Sequence, residues 1–119
     1  MNIDAEVLTE IKVQLQDDIL YFGWLCQLVR LIKPQPIDTE YVGTVVEAVI
    51  QLHQAGTIII GNAREVDGVV LIEPWPERDK ELRARVEWEI ENANERDRDF
   101  CFWIQLADHA TTQPADAVW

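Results

Sequence analysis

From Asp38 to Gly56 the chain reads DTEYVGTVVEAVIQLHQAG, and TIIIGNAREVDGVVLIEPW follows directly. Tyr41, Val42, Val45, Val46, Val49, Ile50 and Leu52 recur at three- and four-residue spacing and cover nearly half of a helix's circumference. Only a helix sunk in a core can hide so wide an arc, so the other elements must wrap around residues 38–54. Asp38 suits an N-cap, and Gly56 suits a left-handed C-terminal cap. The β-branched runs TIII and VVLIE, separated by GNAREVDG, predict a hairpin with a longish tip.

The flanks supply the wrapping. Asp4 suits an N-cap, and Val7, Leu8, Ile11 and Leu15 predict a first amphipathic helix that ends near Asp17 and Asp18. ILYFG, closed by Gly23, fits a short strand or the extension of a helix. WLCQLVRLIK predicts a second helix with Trp24, Leu28, Leu31 and Ile32 inward, stopped by PQP because proline lacks the donor. Beyond the hairpin, proline-flanked Trp75 precedes a charged helix expected from about Glu77, with Leu82, Val86, Ile90 and Ala93 as its buried stripe. FCFWIQLA predicts a further strand, paired with the hairpin or capping the core. A chain of 119 residues fits one domain: residues 1–108 are expected to form a single α+β unit and 109–119 a flexible tail.

The order helix, short strand, helix, helix, hairpin resembles a winged helix-turn-helix core, here with an added C-terminal helix and strand. That resemblance implies that the helix Asp38–Gln54 reads DNA, and the charge argues against it. Twenty-two carboxylates face ten Lys and Arg, a formal net charge of -12, with a sequence pI near 4.4. Phosphate contacts need cations, yet Asp38–Gln54 contains no Lys or Arg and carries Glu40 and Glu47. Its expected solvent face is Gly43, Thr44, Glu47, Gln51 and Gln54. Arg64 in the hairpin is crowded by Glu65 and Asp67. Arg78, Lys80, Arg83, Arg85, Arg96 and Arg98 are interleaved with carboxylates and are expected to pair within the helix surface. Nucleic acid and anionic membranes are therefore expected to be repelled and a basic partner attracted.

Sites for chemistry are sparse. His53 reads as a core or cap histidine, and His109 falls in the tail. Cys26 and Cys101 read as buried thiols of a reducing cytoplasm rather than a redox pair. No phosphate-binding glycine loop, metal-spaced Cys/His cluster or nucleophile elbow is present, so neither enzyme activity nor a cofactor or metal is expected. MNIDAEVLTE lacks the basic start of a signal peptide, and ILYFGWLCQLV is about half the length of a bilayer span.

VEWEIENANE departs from this blandness. Glu87, Glu89, Glu91 and Glu95 meet no base within it, and Trp88 lies off the buried stripe. Trp88 either packs against the hairpin or the tail, or stands as an aromatic anchor ringed by carboxylates, with Asp97 and Asp99 flanking. In overall character, small and acidic with no visible chemistry, the chain resembles the bacterial immunity proteins of toxin systems, such as those of contact-dependent growth inhibition. Its DFCFWIQLADHATT segment also resembles the strand-plus-threonine ending of small bacterial winged-helix domains. The resemblance implies an inhibitor of a cognate basic toxin, a nuclease for example, working by occlusion; the residues themselves put its binding face at Glu87, Trp88, Glu91 and Glu95, with Asp97 and Asp99 flanking. A winged-helix transcriptional accessory domain and an inactive enzyme subunit stay open, as do monomer and homodimer.

Overall fold

Helix α3 (Asp38–Gln54) lies at the centre of the structure, a computed structural model that describes residues 5–32 and 38–108, with 38–40 in backbone only. Around it the chain runs α1 (Ala5–Leu15), β1 (Leu20–Tyr21), α2 (Phe22–Ile32), then β2 (Ile58–Val66), β3 (Val69–Pro74), α4 (Asp79–Asn92), a 3₁₀ turn (Arg98–Phe100) and β4 (Trp103–Leu106). The class is α+β, as expected. Asp4, the PQP break, the tail with His109 and Trp119, and the Asp38 side chain lie outside the described residues.

The apolar arc of α3 packs against α1, α2, α4 and β2, and buries Val45, Val46, Ala48, Val49, Ile50 and Leu52. Each large side chain among them contributes about 1.5–3 kcal/mol of transfer free energy. Gly56 ends the helix in the left-handed region, with φ +76. Its N–H donates to the His53 carbonyl at 2.9 Å, and the Thr57 N–H donates to the Leu52 carbonyl at 3.0 Å. Those are the two bonds that satisfy orphan carbonyls at a glycine-capped helix end.

The sheet is antiparallel throughout, in the order β1-β4-β2-β3. The last strand therefore lies between the first strand and the hairpin. Leu20, Ile104 and Ile60 are in register and buried against the helices, as is Ile58 two pairs further on. Alternation sends Tyr21, Trp103, Ile59 and Gln105 to the opposite face.

Three expectations are corrected. The hairpin has no long tip: GNAREV continues β2, and Val66 pairs with Val69 across a two-residue turn. Asp67 and Gly68 hold φ of 52 and 82, the type I′ geometry that matches strand twist. Gly61 is accordingly a strand residue, at which a Cβ would lie 1.8 Å from the Glu73 carbonyl oxygen of β3. Second, β1 stops at Tyr21 and Gly23 belongs to α2, whose inner side is Phe22, Leu25, Leu28 and Val29. Leu31, expected inside, is 69% exposed, while Trp24 and Ile32 are half-buried. Gly23 is small because the 3₁₀ turn presses on it: a Cβ there would meet the Asp99 side chain at 2.7 Å. Third, α4 begins at Asp79 rather than Glu77, since Arg78 is still extended. Among the described residues no helix is long and apolar enough to cross a membrane.

Candidate functional site

Leu82, Val86 and Ile90 turn the inner side of α4 into the core, as their spacing predicts, and Ala93 is half-buried beyond them. The opposite side exposes Glu81, Ala84, Glu87, Trp88 and Glu91. Trp88 is 57% exposed, and its carbonyl accepts a bond from the Asn92 carboxamide at 2.8 Å. Glu87 and Glu91 are one turn apart and form no ion pair among the described residues.

The flanks explain why the face is so acidic. Arg83 reaches across to Glu47 of α3, with N–O distances of 2.8 and 2.9 Å. The Arg83 hydrogen bond holds the Glu47 carboxyl below its ordinary value, and the same bond raises Arg83. Arg85 bonds Glu89 at 2.8 Å and Glu77 at 3.1 Å, and its guanidinium lies 4.4 Å from the centre of the Trp75 ring. Both arginines of α4 are thus spent on its sides. Arg83 corrects the expectation of pairing within the helix surface, because it ties α4 to α3. Glu47, expected on a solvent face of α3, lies half-buried at that seam.

The remaining candidates lie past the helix. Asp97 donates its N–H to the Asn94 carboxamide oxygen at 2.9 Å, an Asx-type turn that leads into the 3₁₀ turn. Glu95, Asp97 and Asp99 are all exposed, but Asp99 abuts Gly23 of α2 rather than the face of α4. Glu87, Trp88 and Glu91 therefore form the coherent patch, and the other three carboxylates continue the acidic chain beyond it.

Burial pushes the Cys101 thiol up to about 12, with the Glu89 charge adding to it, and Cys26 is among its neighbours. Such a thiol is protonated and unreactive at neutral pH. Burial lowers His53, whose charged neighbours are Arg78 and Asp79. Among the described residues no three His, Cys, Asp or Glu are grouped to hold a metal.

A second surface escaped the sequence reading. On the sheet face away from the helices, Tyr21 and Trp103 have ring centres 5.2 Å apart, and Phe100 joins them at 4.8 and 6.0 Å. Beside them opens a cavity of about 500 Å³ lined by Asp17, Asp18, Tyr21, Val70, Trp103 and Gln105, among others. The only available signal was FWIQ itself, a strand with a large side chain on both faces. Comparison with known proteins finds no matching family model, no similar curated protein and no similar solved structure, so a functional reading has to rest on the residues themselves.

Proposed function

We propose that the protein is an immunity- or antitoxin-like inhibitor, which binds a cognate basic toxin through the outer face of α4 and neutralises it by occlusion. The observation that carries this reading is Trp88, 57% exposed between the carboxylates Glu87 and Glu91, neither of which forms an ion pair among the described residues. An exposed tryptophan ringed by charge is the composition of an interface anchor, and a net charge of -12 speeds encounter with a cation-rich surface. Glu95, Asp97 and Asp99 extend the negative field along the chain. On this reading the protein works in the cytoplasm, uses no cofactor or metal, is no enzyme, and binds neither nucleic acid nor membrane.

The test is salt-dependent capture with the tagged protein as bait. A basic protein that is toxic when expressed alone, and harmless with this chain, is the expected catch. Glu87→Lys with Glu91→Lys should abolish both capture and protection. Unchanged binding by that double variant would overturn the site, and recovery of the protein only with itself or with DNA would overturn the function.

The second reading is a winged-helix accessory domain acting through protein contacts or dimerisation. The element order α1-β1-α2-α3-β2-β3 favours it. Against it stand β4, which separates β1 from the hairpin, and the Glu47–Arg83 seam, which places α4 along α3. A stable homodimer with a salt-dependent DNA mobility shift would move the balance to this second reading.

A further inference from the structure

We infer that the cavity on the outer sheet face is a site for an organic cation, a guanidinium or ammonium on an apolar stem. Three observations converge on that chemistry. The rings of Tyr21 and Trp103 line the cavity, and stacked Phe100 backs them while remaining 53% exposed. Aromatic faces attract cations and pack against the carbon stem that carries them. Asp17 and Asp18, both exposed, supply the counter-charge from the segment joining α1 to β1, and none of the lining residues is basic. Asp18 stays put because one of its oxygens accepts the Ile19 N–H at 2.8 Å.

The third observation is Gln105. It is 3% exposed and is the one buried polar residue among those described, yet its carboxamide has no hydrogen-bond partner among them. It lines the cavity. Its polar atoms are open to the cavity, since among the described residues the fully enclosed side-chain atom without a partner is Trp75 Nε1, so a ligand or water in the cavity can complete the carboxamide. Its oxygen is an acceptor for the N–H groups of a cation, and the walls around it are apolar: Ile59 is its register partner and Val70 lines the same cavity. An anion would face two carboxylates here. A neutral apolar ligand would leave them without a partner.

This site is separate from the α4 face and does not depend on the toxin reading. The experiment is a titration of ¹⁵N-labelled protein, at low salt, with argininamide, whose carboxylate is blocked, and with the neutral citrullinamide. Saturable shifts of the Trp103 indole and Gln105 carboxamide signals are expected with argininamide alone, at a dissociation constant on the order of millimolar. Asp17→Asn with Asp18→Asn should weaken binding by about two- to tenfold, and the amide oxygen that replaces the Asp18 acceptor keeps the local turn. Glu87→Gln with Glu91→Gln should leave it unchanged, which separates failure of this site from failure of the α4 face. A blocked Gly-Arg-Gly peptide that binds as well as argininamide identifies a protein side chain as the source; binding of argininamide without the peptide identifies a free small cation. Absence of saturable shifts, equal response to citrullinamide, or indifference to the Asp17/Asp18 change would each overturn the inference.

Discussion

Helices α3 and α4 invert what their places in the chain suggest. The first precedes a hairpin, where a reader of a partner is expected, yet its sides are occupied by α1, α2, α4 and β2. The second is a late, highly charged helix that composition alone would treat as solvated padding. It nevertheless exposes a tryptophan and fixes its arginines on its flanks. The difference teaches that the two tasks fall to different helices: α3 gives nearly half its circumference to the core and leaves Gly43 and Gln54 exposed, with Thr44, Glu47 and Gln51 half-buried. The contrast can be broken by two substitutions. Ile50→Ala in α3, at a site 2% exposed, should cost about 2–5 kcal/mol in urea unfolding, with the slope unchanged. Trp88→Ala in α4 should stay within about 0.5 kcal/mol, although it removes far more volume. Equal losses would mean that Trp88 is packed, and the patch would vanish with it.

The seam between the two helices titrates, and this gives a prediction of intermediate size. Glu47, held by Arg83, and His53, lowered by burial, both have folded values below their ordinary 4.5 and 6.5. For each group the unfolded chain binds its proton first, so the stability they contribute is fully present above the unfolded value and lost as pH falls through the folded one. Stability should therefore decline in two stages on acidification, beginning below 6.5 and deepening below 4.5. Glu47→Gln should flatten the lower stage and cost about 1 kcal/mol at neutral pH, since the ion pair is only partly buried. His53→Gln should flatten the upper stage. Melting temperatures measured across that range check both, and persistence of both stages in either variant would refute the assignment.

Periodicity made the helices legible. The stripes Val7–Ile11–Leu15 and Leu82–Val86–Ile90 are buried, as is the arc of α3 from Val45 to Leu52, with Tyr41 and Val42 half-buried at its start, because a 3.6-residue repeat of apolar side chains leaves few alternatives. Boundaries set by contacts distant in sequence were not legible. Gly61 looked like part of a turn because it precedes polar residues, whereas the backbone of β3 is what requires it. Gly23 looked like the end of a strand, whereas the 3₁₀ turn some 75 residues later is what crowds it. The exposed face of α4 could be placed from the angle between Trp88 and its stripe. The Tyr21–Phe100–Trp103 cluster could not, because nothing local reveals that β4 lies beside β1.

The smallest predicted effect is the sharpest test of why α4 is acidic. Its last turn contains no base and carries Glu89 and Glu91 where the helix dipole disfavours negative charge. Glu89 is offset by Arg85, but Glu91 is not, and it also repels Glu87 one turn before it. Glu91→Lys should therefore stabilise the isolated protein by a few tenths to about 1 kcal/mol, through a favourable dipole and a new pair with Glu87. The same change should weaken capture of a basic partner. A residue whose removal improves the fold while harming an interaction is kept for the interaction, because local rules are broken chiefly where function demands it. Should Glu91→Lys leave stability lower, the carboxylate has a structural task in α4, and the acidity of this face is no sign of recognition.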